Sequence, residues 1–283
     1  MSGSIDGQVK LWQIKTGECL QTFNGHKREV RCIKTLNRIE FLTGSKDYTI
    51  KLWNLESLNC IKTYKGHTDF VNCLEVSRNK KFFMSGSHDC SIKIWNIQTS
   101  ECLFTLKGHL GLVTDLKLLN EDNLISSSSD KSINIWDLNN GQLLDSLNGH
   151  NRTIFCILTT HDQIISGSAD ALIKIWNFDS KKCHKTLYGH KNTVTKMQFL
   201  TKDCFISSSY DLTFRIWNFK LGTCIRVIDF QTNTQIRAFI VSNLDDLIIY
   251  PSKNKCIEFC SLTTEKKSQI FGHISSVCCL NLI

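Results

Sequence analysis

The chain alternates short apolar stretches with polar punctuation. Within residues 71–106, the segments VNCLEV, FFMSGS, SIKIWNI and ECLFTL are rich in β-branched, aromatic or aliphatic side chains, and Gly, Asn, Asp and Ser lie between them. Apolar runs of this length bounded by turn formers read as strands. The pattern predicts strands over 71–76, 82–87, 91–97 and 101–106. No apolar run approaches the roughly 18 residues that a membrane-spanning helix requires.

The same arrangement recurs along the chain. Gly-His pairs stand at 25–26, 66–67, 108–109, 149–150, 189–190 and 272–273, so the gaps are 41, 42, 41, 40 and 83 residues. The last gap is two periods with one marker missing. The six tryptophans, Trp12, Trp53, Trp95, Trp136, Trp176 and Trp217, keep this rhythm, and Phe259 stands where a seventh would fall. Between each Gly-His and the next Trp lies a Ser-rich turn, as in TGSKD ending at Asp47 or SGSHD ending at Asp89. Four strands in a period of about 40 residues are the signature of a propeller blade. The expected fold is therefore all-β: a seven-bladed β-propeller of four-stranded antiparallel blades, with one domain spanning 1–283.

The succession Gly-His, S-G-S-x-D and I-K-I-W-D/N resembles the WD-repeat family, and the resemblance covers nearly the entire chain. Its motif Asp after Trp is present at Asp137; four repeats carry Asn there and the first carries Gln13. The resemblance implies a buried hydrogen-bonded set in each blade: His, the turn Asp, a Ser or Thr, and the Trp indole. In blade two these are His26, Asp47, Thr43 and Trp53. Blade three has His67, Asp89 and Trp95, and blade four has His109, Asp130 and Trp136. His150, Asp170 and Trp176 follow in blade five, and His190, Asp211 and Trp217 in blade six. Burial demands these residue types, because a carboxylate needs donors and an indole N–H needs an acceptor. A Ser, His and Asp repeated in every blade is therefore read as structural, not as a hydrolytic triad.

The two ends of the chain are expected to share blade one, with residues 1–24 joining 272–283. Met1–Ser4 aligns with Met84–Ser87, and the last segment, SVCCLNLI, reads as an innermost strand. His273 should then meet Ser2, Asp6 and Trp12. About five residues of hairpin and second strand are missing by comparison with the other repeats, which suggests a longer parent chain or a misassigned start. Blade seven departs from the motif: Thr232 replaces the His, Tyr250 the Ser, Asn254 the Asp and Phe259 the Trp. Their joint loss suits an all-apolar replacement better than a half-satisfied network.

Composition narrows the function classes. Apolar residues make up 41% and charged residues 21%, a globular balance with one proline and no Gly/Ser-rich linker. Cys19, Cys60, Cys102, Cys183 and Cys224 each fall seven residues after a Trp, so this recurrence belongs to the repeat and not to a disulfide framework. The cysteines read as small buried apolar residues in a reducing compartment, cytoplasmic or nuclear. The N-terminus lacks a secretory pattern. No C-x-x-C pair, phosphate loop, G-x-S-x-G or H-E-x-x-H occurs, so no catalytic residue, metal or cofactor is expected. The chain should be a non-enzymatic platform for other proteins, with no small-molecule substrate and no membrane partner. The net charge of +8 is scattered, so a nucleic-acid or acidic-surface binder is the alternative and not the first expectation.

The resemblance places the Gly-His and Ser-rich turns on one rim, the family's common docking face. Blade two concentrates Lys27, Arg28, Arg31 and Lys46 there, while Phe70, Phe155 and Tyr210 add aromatic surface. Arg237 and Lys253 lie on blade seven. Arginine forks with aromatics anchor protein interfaces, and such an arc suits an acidic or phosphorylated segment. The resemblance extends to signalling scaffolds and to substrate receptors of ubiquitin ligases. The nearest approaches to an adaptor-binding Trp-Asp-x-Arg box, at Trp12–Lys15 and Trp217–Lys220, lack its Asp and Arg.

Overall fold

The computed structural model describes residues 1–229, 236, 238–242, 246–252, 255–264 and 266–282. Among them there are 28 strands and no helix, organised as seven four-stranded antiparallel sheets. Sheet one orders Val277–Leu280, Ser2–Ser4, Val9–Trp12 and Cys19–Phe23. Sheet two runs Val30–Thr35, Glu40–Ser45, Ile50–Asn54 and Cys60–Tyr64 in chain order. Sheets three to six repeat this order from Val71, Val113, Ile154 and Val194, and sheet seven begins at Ile240. The fold class is thus all-β with seven propeller blades. The chain divides into two compact units. One holds Met1–Asp89, Lys93–Leu103 and Ala238–Ile283; the other holds Cys90–Ile92 and Phe104–Arg237.

Burial explains the strand sequences. The second strand of sheet two, EFLTGS, is buried from Phe41 to Ser45, and FFMSGS of sheet three repeats the pattern. A strand covered on both faces has no solvent side, so its sequence does not alternate. The fourth strand is an outer edge: CLFTLK is exposed at five of six positions. In the first unit the core joins Leu42, Tyr64, Val71, Phe83 and Trp95 across sheets two and three. In the second it joins Ile165, Leu187, Val194, Phe205 and Trp217 across sheets five and six.

Neighbouring sheets are also stitched through their first strands. In the first unit Lys34 reaches Glu75 at 2.6 Å, and Arg31 reaches Asn72. In the second, the buried Asp115 accepts the Ile157 N–H at 3.1 Å and the Leu116 N–H at 3.0 Å. Burial pushes the Asp115 carboxyl up, but Lys117, Lys196 and these two N–H groups hold it below the usual range. This unrepeated carboxylate therefore serves backbone donors that would otherwise be unpaired.

In sheet one, Ser2, Gly3 and Ser4 pair with Leu280, Cys279 and Val277, and the Met1 amine donates to the Asn281 carbonyl at 2.7 Å. The second strand there has three residues, against six in sheet two. Sheet seven keeps buried Tyr250 and Phe259, but the replacement is not all-apolar: Glu258 is buried beside them and accepts from Gln269 at 3.2 Å. Burial and the adjacent Glu258 push the Tyr250 hydroxyl far above its ordinary range. Thr232 and Asn254 lie outside the described residues.

A pairing rule emerges between first and second strands. Cys32, Cys73, Cys156 and Cys279 stand opposite Gly44, Gly86, Gly167 and Gly3. A Cβ on Gly44 would lie 2.6 Å from Cys32 Sγ and 2.7 Å from Val71 Cγ1. Where the first strand instead carries Asp115 or Lys196, the partners are Ser127 and Ser208, each meeting a Thr hydroxyl at 2.9 Å. Gly44→Ala should therefore overpack the sheet two–sheet three contact and cost about 1–3 kcal/mol. Cys32→Ala in the same chain should recover part of it. Urea unfolding of the two variants tests this; an unchanged midpoint for Gly44→Ala would contradict it.

Candidate docking rim

A relay of hydrogen bonds sits at the loop end of five sheets. In sheet two Trp53 Nε1 donates to Thr43 Oγ1 at 2.8 Å, that hydroxyl meets His26 Nε2 at 2.7 Å, and His26 Nδ1 meets Asp47 at 2.8 Å. Sheet three repeats this with Trp95, Ser85, His67 and Asp89 at 2.8, 2.7 and 2.7 Å. Trp136, Ser126, His109 and Asp130 form it in sheet four at 2.7, 2.7 and 2.9 Å. Trp176, Ser166, His150 and Asp170 form it in sheet five, all at 2.8 Å. Trp217, Ser207, His190 and Asp211 form it in sheet six at 2.8, 2.7 and 2.8 Å. The indole N–H can only donate and the ionised carboxylate can only accept, so the hydroxyl accepts from the indole and Nδ1–H donates to the carboxylate.

The carboxylate carries the relay to the surface loop. Its second role is to accept the backbone N–H of the residue after His: Lys27 at 2.9 Å, Thr68 at 3.0 Å, Leu110 at 2.8 Å, Asn151 at 3.0 Å and Lys191 at 2.9 Å. Burial pushes the Asp170 carboxyl up, but His150 and the Asn151 and Leu172 N–H groups overcome it and hold it at about 2. Asp47, Asp130 and Asp211 are held low against burial in the same way by His26, His109 and His190. The Ser45 hydroxyl binds the Arg28 carbonyl at 3.0 Å, and Lys46 N–H binds the Glu29 carbonyl at 2.9 Å. The backbone that presents Lys27–Glu29 and Lys46 is thus fixed before any partner arrives.

Sheets two and three bring several predicted rim residues together. Lys27 and Arg28 are exposed. Arg31 donates to Glu29 Oε1 at 3.1 Å and to Asn72 Oδ1 at 3.2 and 2.9 Å. Lys46 binds the other Glu29 oxygen, and its ammonium lies 5.3 Å from the Phe70 ring centre. Phe70 also meets Tyr48 at 5.9 Å and His88 at 5.1 Å between ring centres. Tyr48 occupies a left-handed backbone position, φ 70°, that the turn imposes on the residue after each motif Asp. Tyr48 is not among the rim residues that the repeat predicts. Glu29 falls on the rim by its place after Gly-His, but its pairing with Arg31 and Lys46 is not legible from the sequence. Phe155 and Tyr210 belong to the other unit, where Phe155 is exposed and Tyr210 half-buried. Arg237 and Lys253 lie outside the described residues.

Sheet one departs from the relay. Ser2 Oγ takes the Trp12 N–H at 2.7 Å and meets His273 Nε2 at 2.6 Å. The predicted Asp6 does not complete it: Asp6 is exposed, its Oδ1 accepts the Gln8 N–H at 2.9 Å, and His273 Nδ1 is buried without a hydrogen-bond partner among the described residues. Gln8 brings no short hydroxyl to pin the carboxylate, as Thr49, Ser132 and Thr213 do in other sheets.

With the repeat geometry established, the chain reads as a WD-repeat β-propeller. The WD domain, G-beta repeat model matches residues 17–54. The WDR41 β-propeller model matches residues 58–209, more than half the chain, and the chain belongs to that family. It is also 50% identical over 34 residues to the WD repeat-containing protein pop1 of Schizosaccharomyces pombe, a stretch covering 12% of this chain and 4% of that protein. WD-repeat propellers generally mediate protein–protein interactions and are typically non-catalytic.

Burial lowers the His273 imidazole to about 4; Asp6 opposes this weakly and Lys10 adds to it. A base whose folded pKa lies below its unfolded value of about 6.5 favours unfolding once protons bind. Its stabilising neutral form is present above that value and lost as pH falls towards 4. Stability should therefore decline over this window, and His273→Gln should flatten the decline by about one proton. Denaturant midpoints measured between these pH values check it; identical slopes would contradict it.

Proposed function

We propose that the chain is a non-catalytic substrate-recognition or scaffold platform that docks a partner segment on the rim of sheets two and three. The supporting observation is Arg31, held between Glu29 and Asn72 beside the Tyr48–Phe70–His88 cluster. A guanidinium already fixed by its neighbours loses little freedom on binding, and arginine with aromatics is the usual composition of an interface anchor. The exposed Lys27 and Arg28 extend the site towards acidic or phosphorylated segments. The cysteines are not all buried as expected, for Cys19, Cys102 and Cys183 are exposed, but none of the fourteen is disulfide-bonded among the described residues, which suits a reducing compartment, cytoplasm or nucleus.

Partner capture with the wild type should be lost when Arg28→Glu, Arg31→Glu and Lys46→Glu are combined, and when the partners are dephosphorylated. Retention through both treatments would remove the rim from the reading. A steep loss of binding with salt, together with nuclease sensitivity, would instead indicate nucleic acid.

A further inference from the structure

Glu29 stands out against the repeat. At the matching place before the first strand, the other relay sheets carry Phe70, Leu112, Thr153 and Thr193, and sheet one carries Ser276. The fold therefore needs no acid there. Glu29 is nonetheless buried, and its two oxygens occupy two of the rim's cations: Arg31 on Oε1 at 3.1 Å, Lys46 on Oε2. Burial pushes its carboxyl up, but Lys46, Arg31 and the Cys278 thiol hold it below the ordinary range. It is an ionised, largely desolvated anion already seated in the rim. Arg31 has three of its N–H groups engaged, which leaves two of the guanidinium's five for a ligand among the described residues.

We propose that Glu29 is a resident carboxylate that sets the charge threshold of this rim, so that a partner's phosphoryl group displaces it and a partner's single carboxylate does not. The inference rests on the docking reading above. A carboxylate arriving from solution would exchange like for like against one tethered beside its cations, and the tethered group holds the advantage of effective concentration. A phosphoryl group brings close to two charges and three acceptor oxygens, enough to replace Glu29 on Lys46 and Arg31 and to engage both remaining Arg31 donors. Glu29 thus acts as a specificity-determining residue that touches the ligand's site without binding the ligand.

The test uses one short Gly/Ser/Ala peptide in three forms, with Ser, Glu or phosphoserine at its centre, titrated against the whole chain by fluorescence anisotropy. The proteins are wild type, Glu29→Gln, Glu29→Thr (the residue type of sheets five and six) and Arg31→Ala, each checked for a native melting transition. The wild type should prefer the phosphopeptide to the Glu peptide by about tenfold or more, the range of one charge-assisted hydrogen bond. Glu29→Gln and Glu29→Thr should narrow that ratio to about threefold or less by gaining affinity for the Glu peptide, and Arg31→Ala should lose the phosphopeptide. If Arg31→Ala loses the phosphopeptide while both Glu29 variants keep the wild-type ratio, the threshold is overturned and the docking reading stands. If the phosphopeptide fails to bind, or binds regardless of Arg31, both are overturned.

Discussion

The constraint on which everything else depends is the burial of polar groups that cannot be left unpaired. Each blade core that keeps the motif contains an indole N–H and an imidazole, and a buried group without a partner costs about 1–3 kcal/mol. The relay from Trp through Ser or Thr to His and Asp satisfies them and leaves the Asp carboxylate with further acceptor positions. One of these binds the surface loop. The same requirement that stabilises the interior thus also fixes the rim, so a partner meets loops that need no ordering. Sheet one shows the relay's limit: where Asp6 stays in solvent, His273 keeps an unpaired nitrogen among the described residues.

Function is written in the positions that the repeat leaves free. Residue types at the relay barely vary among five blades, whereas the places beside it read Glu29, Phe70, Leu112, Thr153 and Thr193. Sheets two and three use this freedom to gather two cations, one acid and three aromatic rings within a few ångströms. The other unit presents a different surface, with Leu110 93% exposed on the loop after its Gly-His. A common scaffold with unlike loops is how one fold presents different docking faces.

Much of this was legible from residue order. The strands expected over 91–97 and 101–106 are observed as Ser91–Asn96 and Cys102–Lys107, because alternation and turn formers bound them closely. The seven-blade period followed from Gly-His and Trp spacing. The balance of charge on the rim was not legible from a count of cations. Arg31 and Lys46 look like free positive charge in one dimension, but antiparallel pairing puts Glu29 between them. Tyr48 was missed because its place over Phe70 comes from a left-handed turn residue, which sequence periodicity does not encode. Asp6 satisfied the motif by spacing, yet spacing does not say whether a carboxylate will leave water. The Cys–Gly pairing shows the converse: a covariation visible in the chain whose cause, a thiol lying over a missing Cβ, appears only in three dimensions.

The direct test of the central claim is the tautomer of the relay histidines at neutral pH, read from imidazole nitrogen chemical shifts and their couplings to ring protons. The hydrogen-bond order requires His26, His67, His109, His150 and His190 to carry a proton on Nδ1, facing the carboxylate. That pattern in all five would establish the relay as the element joining core to rim. A proton on Nε2 with Nδ1 bare would contradict it, because the ring would then turn a lone pair to the carboxylate and the carboxylate's hold on the loop would need another explanation.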